Sequence, residues 1–190
     1  MDGSRRLSQA IAEGDGISVL VEVSDPAAAL VAQDQGAEGL VVRGSAGTIR
    51  QSCGLPVLGY GRADELGGID AVVVDGSDPE DSLEAVIAAV HDRGLECVLR
   101  VSAEDDLEEL LELVDPEIFL LATDEVEDGQ SPLERLLELL ADIPAGKLAI
   151  AELAGAGRDD VVELERAGVD AVIVASSDIG SLVGDTLPDH

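Results

Sequence analysis

Aromatic side chains are almost absent from this sequence. Its 190 residues include one Tyr, one Phe and no Trp, although 46% of the residues are hydrophobic. The apolar residues are instead Val, Leu, Ala and Ile, so the core must be aliphatic. A chain of this length can form one substantial core but not two ordinary domains.

Positive charge is also scarce. Eleven Lys and Arg residues face 41 Asp and Glu residues, which gives a formal net charge of −30. Such a surface repels a phosphate backbone or an anionic membrane over most of its area. We therefore expect neither nucleic acid nor membrane as a partner, and we attribute the acidic surface to adaptation to salt or to GC-rich coding.

Cysteines and long apolar runs are too few to support several further classes of protein. Cys53 and Cys97 fall on different predicted elements, which argues against a disulfide framework or a zinc site. No stretch holds eighteen uninterrupted apolar residues, and the N-terminal segment has no apolar leader-like region. No GxGxxG, Walker A, GxSxG, HExxH or paired CxxC motif occurs. We expect a cytoplasmic protein with no cofactor and no metal.

A short motif recurs three times in the sequence. A glycine, a small or branched residue, an acid and a β-branched run recur as GAEGLVV from Gly36, GIDAVVV from Gly68 and GVDAVIV from Gly168. Each copy is typical of a helix stop followed by a buried strand.

Apolar strands alternate with amphipathic helices along the whole chain, eight of each. The predicted strands are ISVLVEV (the 18–24 region), GLVV (39–42), PVLGY (56–60), AVVVD (71–75), ECVLRV (96–101), EIFLLA (117–122), KLAIAE (147–152) and AVIVA (171–175). Helix starts are marked by Asp25-Pro26, Asp78-Pro79 and Ser131-Pro132, where a capping side chain precedes a proline. The third helix (GRADELGG) and the eighth (DIGSLVGDTL) are weakly marked.

This pattern predicts an α/β protein, a compact (β/α)8 TIM barrel in which residues 1–190 form a single domain. The segment SRRLSQAIAEG is predicted to be a short N-terminal extra helix that closes the barrel bottom. An open doubly wound sheet is the alternative, because parallel strands alone do not establish closure.

Polar residues end several of the predicted strands. Counting alternate positions places Glu22, Asp75, Arg100 and Glu152 on the inner face, where ligands of such barrels bind. Tyr60 ends the third strand and Arg43 follows the second, which adds two further candidate binding residues; these six residues define the predicted barrel mouth.

Glu22, Arg100 and Glu152 are predicted to meet, because a charge within an aliphatic strand needs a partner. One interpretation is a purely structural Glu–Arg–Glu cluster. The other is catalytic: two nearby carboxylates with separated pKa values act as acid and base, and Arg100 holds an anion.

A second candidate site lies after strands seven and eight. The loop 153–157, which includes Gly155, and the pair Ser176 and Ser177 could offer backbone N–H groups to a phosphate. The same residue types also serve as ordinary turn and cap residues, and the charge of Asp178 opposes an anion there.

Several segments resemble the indole-3-glycerol-phosphate synthase family, over about residues 18–184. ISVLVEV resembles that family's first strand (A-E-x-K), GLPVLGY its third (P-V-L-x-K-D), LAIAELAG its seventh (x-A-E-S-G) and GVDAVIVASS its eighth (G-x-D-x-x-L-V-G-x-x). The resemblance implies tryptophan biosynthesis: a lyase that closes an indole ring on a phosphorylated anilino-deoxyribulose, with decarboxylation. By the same resemblance, Glu22 and Glu152 match two family glutamates, and Gly155, Ser176 and Ser177 fall in the phosphate-binding segments.

The family's catalytic lysines are missing. Ser24 and Tyr60 stand at their places, Arg100 replaces the strand-five glutamate, and Lys147 is the only lysine in the chain. General acid catalysis typically contributes about 10²–10⁴-fold to a rate. We therefore expect a divergent phosphosugar-binding homologue with weak or lost family activity, whose partner is a small anionic phosphorylated metabolite. The alternative is a non-catalytic binding or scaffold barrel with a structural inner Glu–Arg–Glu cluster.

Overall fold

The fold is a closed barrel of eight parallel strands in sequence order. In this computed structural model the described residues are 6–75, 82–123, 130–153, 155–175, 179 and 182. Each strand pairs with the next, and β1 pairs with β8. The predicted (β/α)8 TIM barrel is confirmed, and the open doubly wound sheet is wrong.

All eight strands lie within two residues of their predicted bounds. They are β1 Ser18–Glu22, β2 Gly39–Val42, β3 Val57–Tyr60, β4 Ala71–Asp75, β5 Glu96–Val101, β6 Ile118–Leu121, β7 Leu148–Glu152 and β8 Ala171–Val174. Runs rich in Val, Leu and Ile suit strands that are covered on both faces.

Seven α-helices occur within the described residues. They are α1 Leu7–Ala12, α2 Pro26–Asp34, α3 Gly47–Ser52, α4 Leu83–Asp92, α5 Glu104–Leu113, α6 Pro132–Ala141 and α7 Arg158–Ala167. None of them is long and apolar enough to span a membrane.

The predicted helix between β3 and β4 is wrong. Residues 61–70 form a loop, in which Gly61 and Gly68 have φ values of 133° and 79°. These positive φ values lie outside the helical region. Glycine adopts them readily because it has no Cβ atom. The predicted eighth helix falls largely on residues outside those described.

Two of the predicted helix starts are confirmed by their capping bonds. The Asp25 carboxylate accepts the N–H groups of Ala27 and Ala28, both at 2.9 Å. Ser131 and Glu134 form a reciprocal capping box at the start of α6. Asp78-Pro79 lies outside the described residues.

In two copies of the recurring motif, the acidic residue links neighbouring strands by hydrogen bonds at the bottom of the barrel. The Asp70 carboxylate accepts the N–H of Val57 at 2.9 Å, and the Asp170 carboxylate accepts the N–H of Ala149 at 2.8 Å. The backbone N–H of each aspartate donates to the carbonyl of the same partner. In these copies the recurring motif therefore provides a hydrogen-bonded link between neighbouring strands as well as the start of a strand.

The N-terminal helix α1 closes the barrel bottom, as predicted. Leu7 and Ile11 are buried among inward-facing strand residues such as Leu20 and Ile118. The Glu96 carboxylate on β5 accepts hydrogen bonds from the N–H and the hydroxyl of Ser8. These bonds satisfy an otherwise unpaired donor in the first helical turn.

Leu7→Ala is expected to lower the free energy of unfolding by about 2–5 kcal/mol, because it leaves a cavity beneath the barrel. Leu7 is 0% exposed, whereas Leu113 on α5 is 59% exposed and provides a matched control. Leu113→Ala should change stability by at most about 0.5 kcal/mol. Urea denaturation followed by circular dichroism measures both, and equal losses would show that α1 does not plug the barrel.

Candidate functional site

Strand register places the predicted mouth residues at the C-terminal ends of the strands. Glu22, Tyr60, Asp75 and Glu152 are the last residues of β1, β3, β4 and β7. Each lies two residues after an inward-facing apolar residue of its strand, so its side chain also faces inward, above the apolar interior of the barrel.

Arg43 is the centre of the ionic network at the mouth. Its Nε donates to Glu22 Oε1 at 3.0 Å, and its Nη2 donates to Glu22 Oε2 at 3.2 Å and to Glu152 Oε1 at 2.9 Å. The guanidinium carbon also lies 4.4 Å from the centroid of the Tyr60 ring. One arginine is thus held by two carboxylates and an aromatic face.

The pairing predicted for Arg100 is wrong. Arg100 Nη1 bonds Asp75 Oδ2 at 3.3 Å, because these residues stand opposite each other in the β4–β5 register. Since β5 lies across the barrel from β1, the cation that joins Glu22 to Glu152 is Arg43.

The Arg43 network is open to solvent. The side chain of Arg43 is 51% exposed, and those of Glu22 and Glu152 are 34% and 22% exposed. Ion pairs with this exposure contribute little to stability. The hydrogen bond with Glu22 raises the pKa of Arg43 further above its ordinary value, despite some desolvation, so its charge is permanent. The clearest consequence of the network is the fixed orientation of Arg43.

Tyr60 presents a neutral hydroxyl under Arg43. The hydroxyl is buried and makes no well-aligned hydrogen bond within the part of the chain that the structure describes, although the Glu152 carboxylate lies near it. Burial raises the pKa of Tyr60 well above its ordinary value, and the nearby negative charge of Glu152 raises it further. Tyr60 therefore stays protonated at physiological pH.

A cavity of about 1130 Å³ opens at the mouth. Four of the chain's eleven cationic residues, Arg43, Arg62, Arg93 and Arg100, are among the described residues that line it. Four acids line it as well, which are Asp64, Asp75, Asp92 and Glu152. Among the described residues of the lining, arginines and acids are therefore equal in number, whereas the chain as a whole carries −30.

Part of this lining was not predicted from the sequence. Arg62 follows β3 by two residues, a position where a strand-end search could have found it. Leu121, the last residue of β6, faces the helices, whereas Ala122 and Thr123 directly after it line the cavity.

The predicted phosphate loop is described only in part. Gly155 has φ of 76°, a conformation that favours glycine. The N–H of Gly157 at the start of α7 already donates to the Asp160 carboxylate at 2.8 Å. Ser176 and Ser177 lie outside the described residues.

Lys147 lies at the opposite end of the barrel from the mouth. It precedes β7 and bonds Asp115 at 2.6 Å. Among the described residues, no group of three or more His, Cys, Asp or Glu side chains is arranged to hold a metal ion.

Sequence comparison finds distant relatives. No family model matches the chain. Proteins called indole-3-glycerol phosphate synthase match at 27% identity over 111 residues (Geobacillus sp. strain WCH70) and at 30% over 112 residues (Geobacillus thermodenitrificans strain NG80-2). Each match covers 58% of this chain and 43% of the relative, so less than half of each relative's length is matched. These matches support kinship with the superfamily of barrels rather than with one member.

Structural comparison agrees on the fold. N-acetylmannosamine-6-phosphate 2-epimerase from Clostridium perfringens matches with a TM-score of 0.69 at 16% identity, over 84% of this chain and 86% of that one. Thiamine phosphate pyrophosphorylase from Pyrococcus furiosus matches with a TM-score of 0.64 at 16% identity, over 87% and 90%. At this identity the likeness shows the TIM-barrel fold alone.

The Tyr60 environment predicts an abnormal phenol titration. Tyr60 is the only tyrosine, so phenolate absorbance reports it directly. In the unfolded chain it should ionise near its ordinary pKa of about 10, whereas the folded protein should show no phenolate at about pH 10.5. Because the folded state keeps its proton longer, the stability that Tyr60 contributes is present below about pH 10 and falls as pH rises above it. Tyr60→Phe gives the blank, and ordinary ionisation in the folded protein would contradict the buried hydroxyl.

Proposed function

We propose that the barrel mouth binds a small phosphorylated metabolite of phosphosugar size. In this proposal the chain is a single barrel domain over residues 1–190 that acts in the cytoplasm. It is a divergent relative of indole-3-glycerol-phosphate synthase with weak or lost ring-closing activity. The observation that carries the proposal is the orientation of Arg43 by Glu22 and Glu152 at the edge of the cavity.

Arg43 retains hydrogen-bonding capacity for an anion. Its bonds to Glu22 and Glu152 use Nε and Nη2, and within the described residues Nη1 makes no hydrogen bond. A guanidinium matches the geometry of phosphate oxygens. Because the two carboxylates already fix the side chain, binding costs it little conformational freedom.

The charge distribution favours the same place. The chain carries nearly four acids for each basic residue, but the described residues that line the cavity include four arginines and four acids. Two of these arginines, Arg43 and Arg100, lie close to the Tyr60 hydroxyl and form a local concentration of positive charge that favours an anion.

The comparisons support a phosphorylated ligand. The curated relatives are named for indole-3-glycerol phosphate, and two structural neighbours are named for a sugar phosphate and for thiamine phosphate. We retain Gly155, Ser176 and Ser177 as further proposed phosphate contacts beside Arg43, and Tyr60 as a proposed contact to the rest of the polar ligand.

The family reaction is proposed to be weak or lost because the mouth has no ammonium group. Lys147 is held by Asp115 at the other end of the barrel. Arg43 and Arg100 cannot give up a proton near neutral pH. We propose that any remaining chemistry uses Glu22 and Glu152 as acid and base, with Arg100 holding an anion.

A second candidate function is a non-catalytic scaffold. It is favoured by the internal pairing of the mouth charges, since Arg43 forms ion pairs with two glutamates and Arg100 with Asp75. In that case replacing these charges should leave stability unchanged and should remove no ligand affinity.

Binding of ribose 5-phosphate and of inorganic phosphate tests the main proposal. Affinity is measured by calorimetry at about 0.1 M salt. At this ionic strength the Debye length is about 10 Å, so distant carboxylates are screened. We expect both anions to bind and ribose not to bind. Arg43→Gln should weaken the affinity at least about tenfold, the size expected for a lost charge-assisted hydrogen bond.

Arg135→Gln is the matched control for Arg43→Gln. Arg135 lies on α6 and pairs with Glu104 and Glu138, away from the mouth cavity. This variant should bind phosphate like the parent. Absence of binding to either anion, or equal losses in the two variants, would contradict the proposal and favour the scaffold.

The ring-closing reaction gives a separate test. Incubation with the synthase substrate should yield no increase in indole fluorescence, or a rate lower by about 10²–10⁴-fold than that of a synthase with its lysine. If slow turnover is seen, Glu152→Gln should abolish it. Turnover at a normal synthase rate would show that a group other than lysine supplies the proton.

A further inference from the structure

The cavity continues from the mouth onto the outside of the barrel. Its lining includes Val72 and Val74, which alternate with the inward-facing Val73 of β4 and pack on the helical side. Val86 and Ala89 of α4 line it too. The same space therefore joins the polar mouth to an apolar groove between β4 and α4.

The groove exists because one crossover has no helix. The other strand connections from β1 to β8 carry α2 to α7, but residues 61–70 join β3 to β4 as a loop. That loop lies close against β3: a Cβ added to Gly59 would be 2.9 Å from Leu66 Cδ1 and 3.0 Å from Ile69 Cγ2. Leu66 and Ile69 also belong to the apolar cluster that contains Val72 and Val74. Ala85 and Ala89 on the flank of α4 remain exposed.

The open flank of α4 consists of small aliphatic residues. Ala85 and Ala89 are exposed and line the cavity four residues apart, on one side of the helix. The half-buried Val86 lies beside them, and the buried Val72 and Val74 form the floor of the groove, so its lining is aliphatic at these positions. Such a surface suits a flexible hydrocarbon chain.

We propose that this groove, lined by Val72, Val74, Ala85, Val86 and Ala89, binds the aliphatic chain of an amphiphilic anion. The acidic head group lies at Arg43 and Arg100, and the alkyl or acyl chain runs over β4 along α4. This inference rests on the proposed anion site at the mouth and adds the substrate class. The cavity volume of about 1130 Å³ slightly exceeds the ordinary range of about 300–1000 Å³ for small-molecule sites, which leaves room for a chain beside the head group.

A series of phosphate monoesters tests the proposal. Affinity is measured by calorimetry for inorganic phosphate, butyl phosphate and octyl phosphate, each below the concentration at which it forms micelles. Each buried methylene can contribute up to about fourfold in affinity. Octyl phosphate should therefore bind at least about tenfold more tightly than butyl phosphate. Octanoate in a parallel arm shows whether the head group is a phosphate or any anion.

Replacement of two alanines of α4 by phenylalanine tests where the alkyl chain binds. Ala89→Phe fills the groove from an exposed helical position, whereas Ala88→Phe makes the same change at an exposed neighbour outside the cavity lining. Ala89→Phe should remove the gain from butyl to octyl phosphate and leave binding of inorganic phosphate unchanged. Ala88→Phe should retain the gain.

The outcomes separate this inference from the proposed function. Equal affinities for butyl and octyl phosphate, with inorganic phosphate still bound, would overturn the groove alone. A chain-length gain that survives Ala89→Phe would also overturn it. Failure of inorganic phosphate and of ribose 5-phosphate to bind would overturn the anion site, and the inference with it.

Discussion

The pairing of β1 with β8 is the contact on which the candidate site depends. Four aligned residue pairs, from Ser18 with Ala171 to Val21 with Val174, close the sheet into a cylinder. In an open sheet Glu22 and Glu152 would belong to strands far apart. Closure brings both within reach of Arg43, which is 109 residues from Glu152 in the sequence. The site is thus a product of topology rather than of a local motif.

The grouping of arginines at the mouth is notable because the chain is strongly acidic. The chain has only eleven basic residues, and four of them line one cavity. Carboxylates at the mouth do not simply cancel them, because Glu22 and Glu152 hold Arg43 in one orientation over Tyr60. Under the proposed function, the two glutamates are positioning residues for the cation that would bind the anion.

Local sequence signals were sufficient for the strands and for the inward-facing positions. β-branched runs after glycine fixed the strands to within two residues, and alternation placed Glu22 and Glu152 correctly at the strand ends. The partner of these glutamates was not predictable in this way, because which cation reaches them depends on the stagger between strands. The β4–β5 register pairs Arg100 with Asp75 and leaves the bridging position to Arg43. The weakly marked segment GRADELGG was counted as a helix in the alternation of eight strands with eight helices, but its Leu66 and the following Ile69 approach β3 from a loop.

A crystal structure of the protein grown with phosphate would show whether the oriented Arg43 binds an anion. We expect a phosphate oxygen within hydrogen-bond distance of Arg43 Nη1, while the Glu22 and Glu152 carboxylates keep their bonds to the same guanidinium. An Arg43 side chain turned away from both glutamates, with the mouth occupied by water, would show that the mouth is not built to hold an anion.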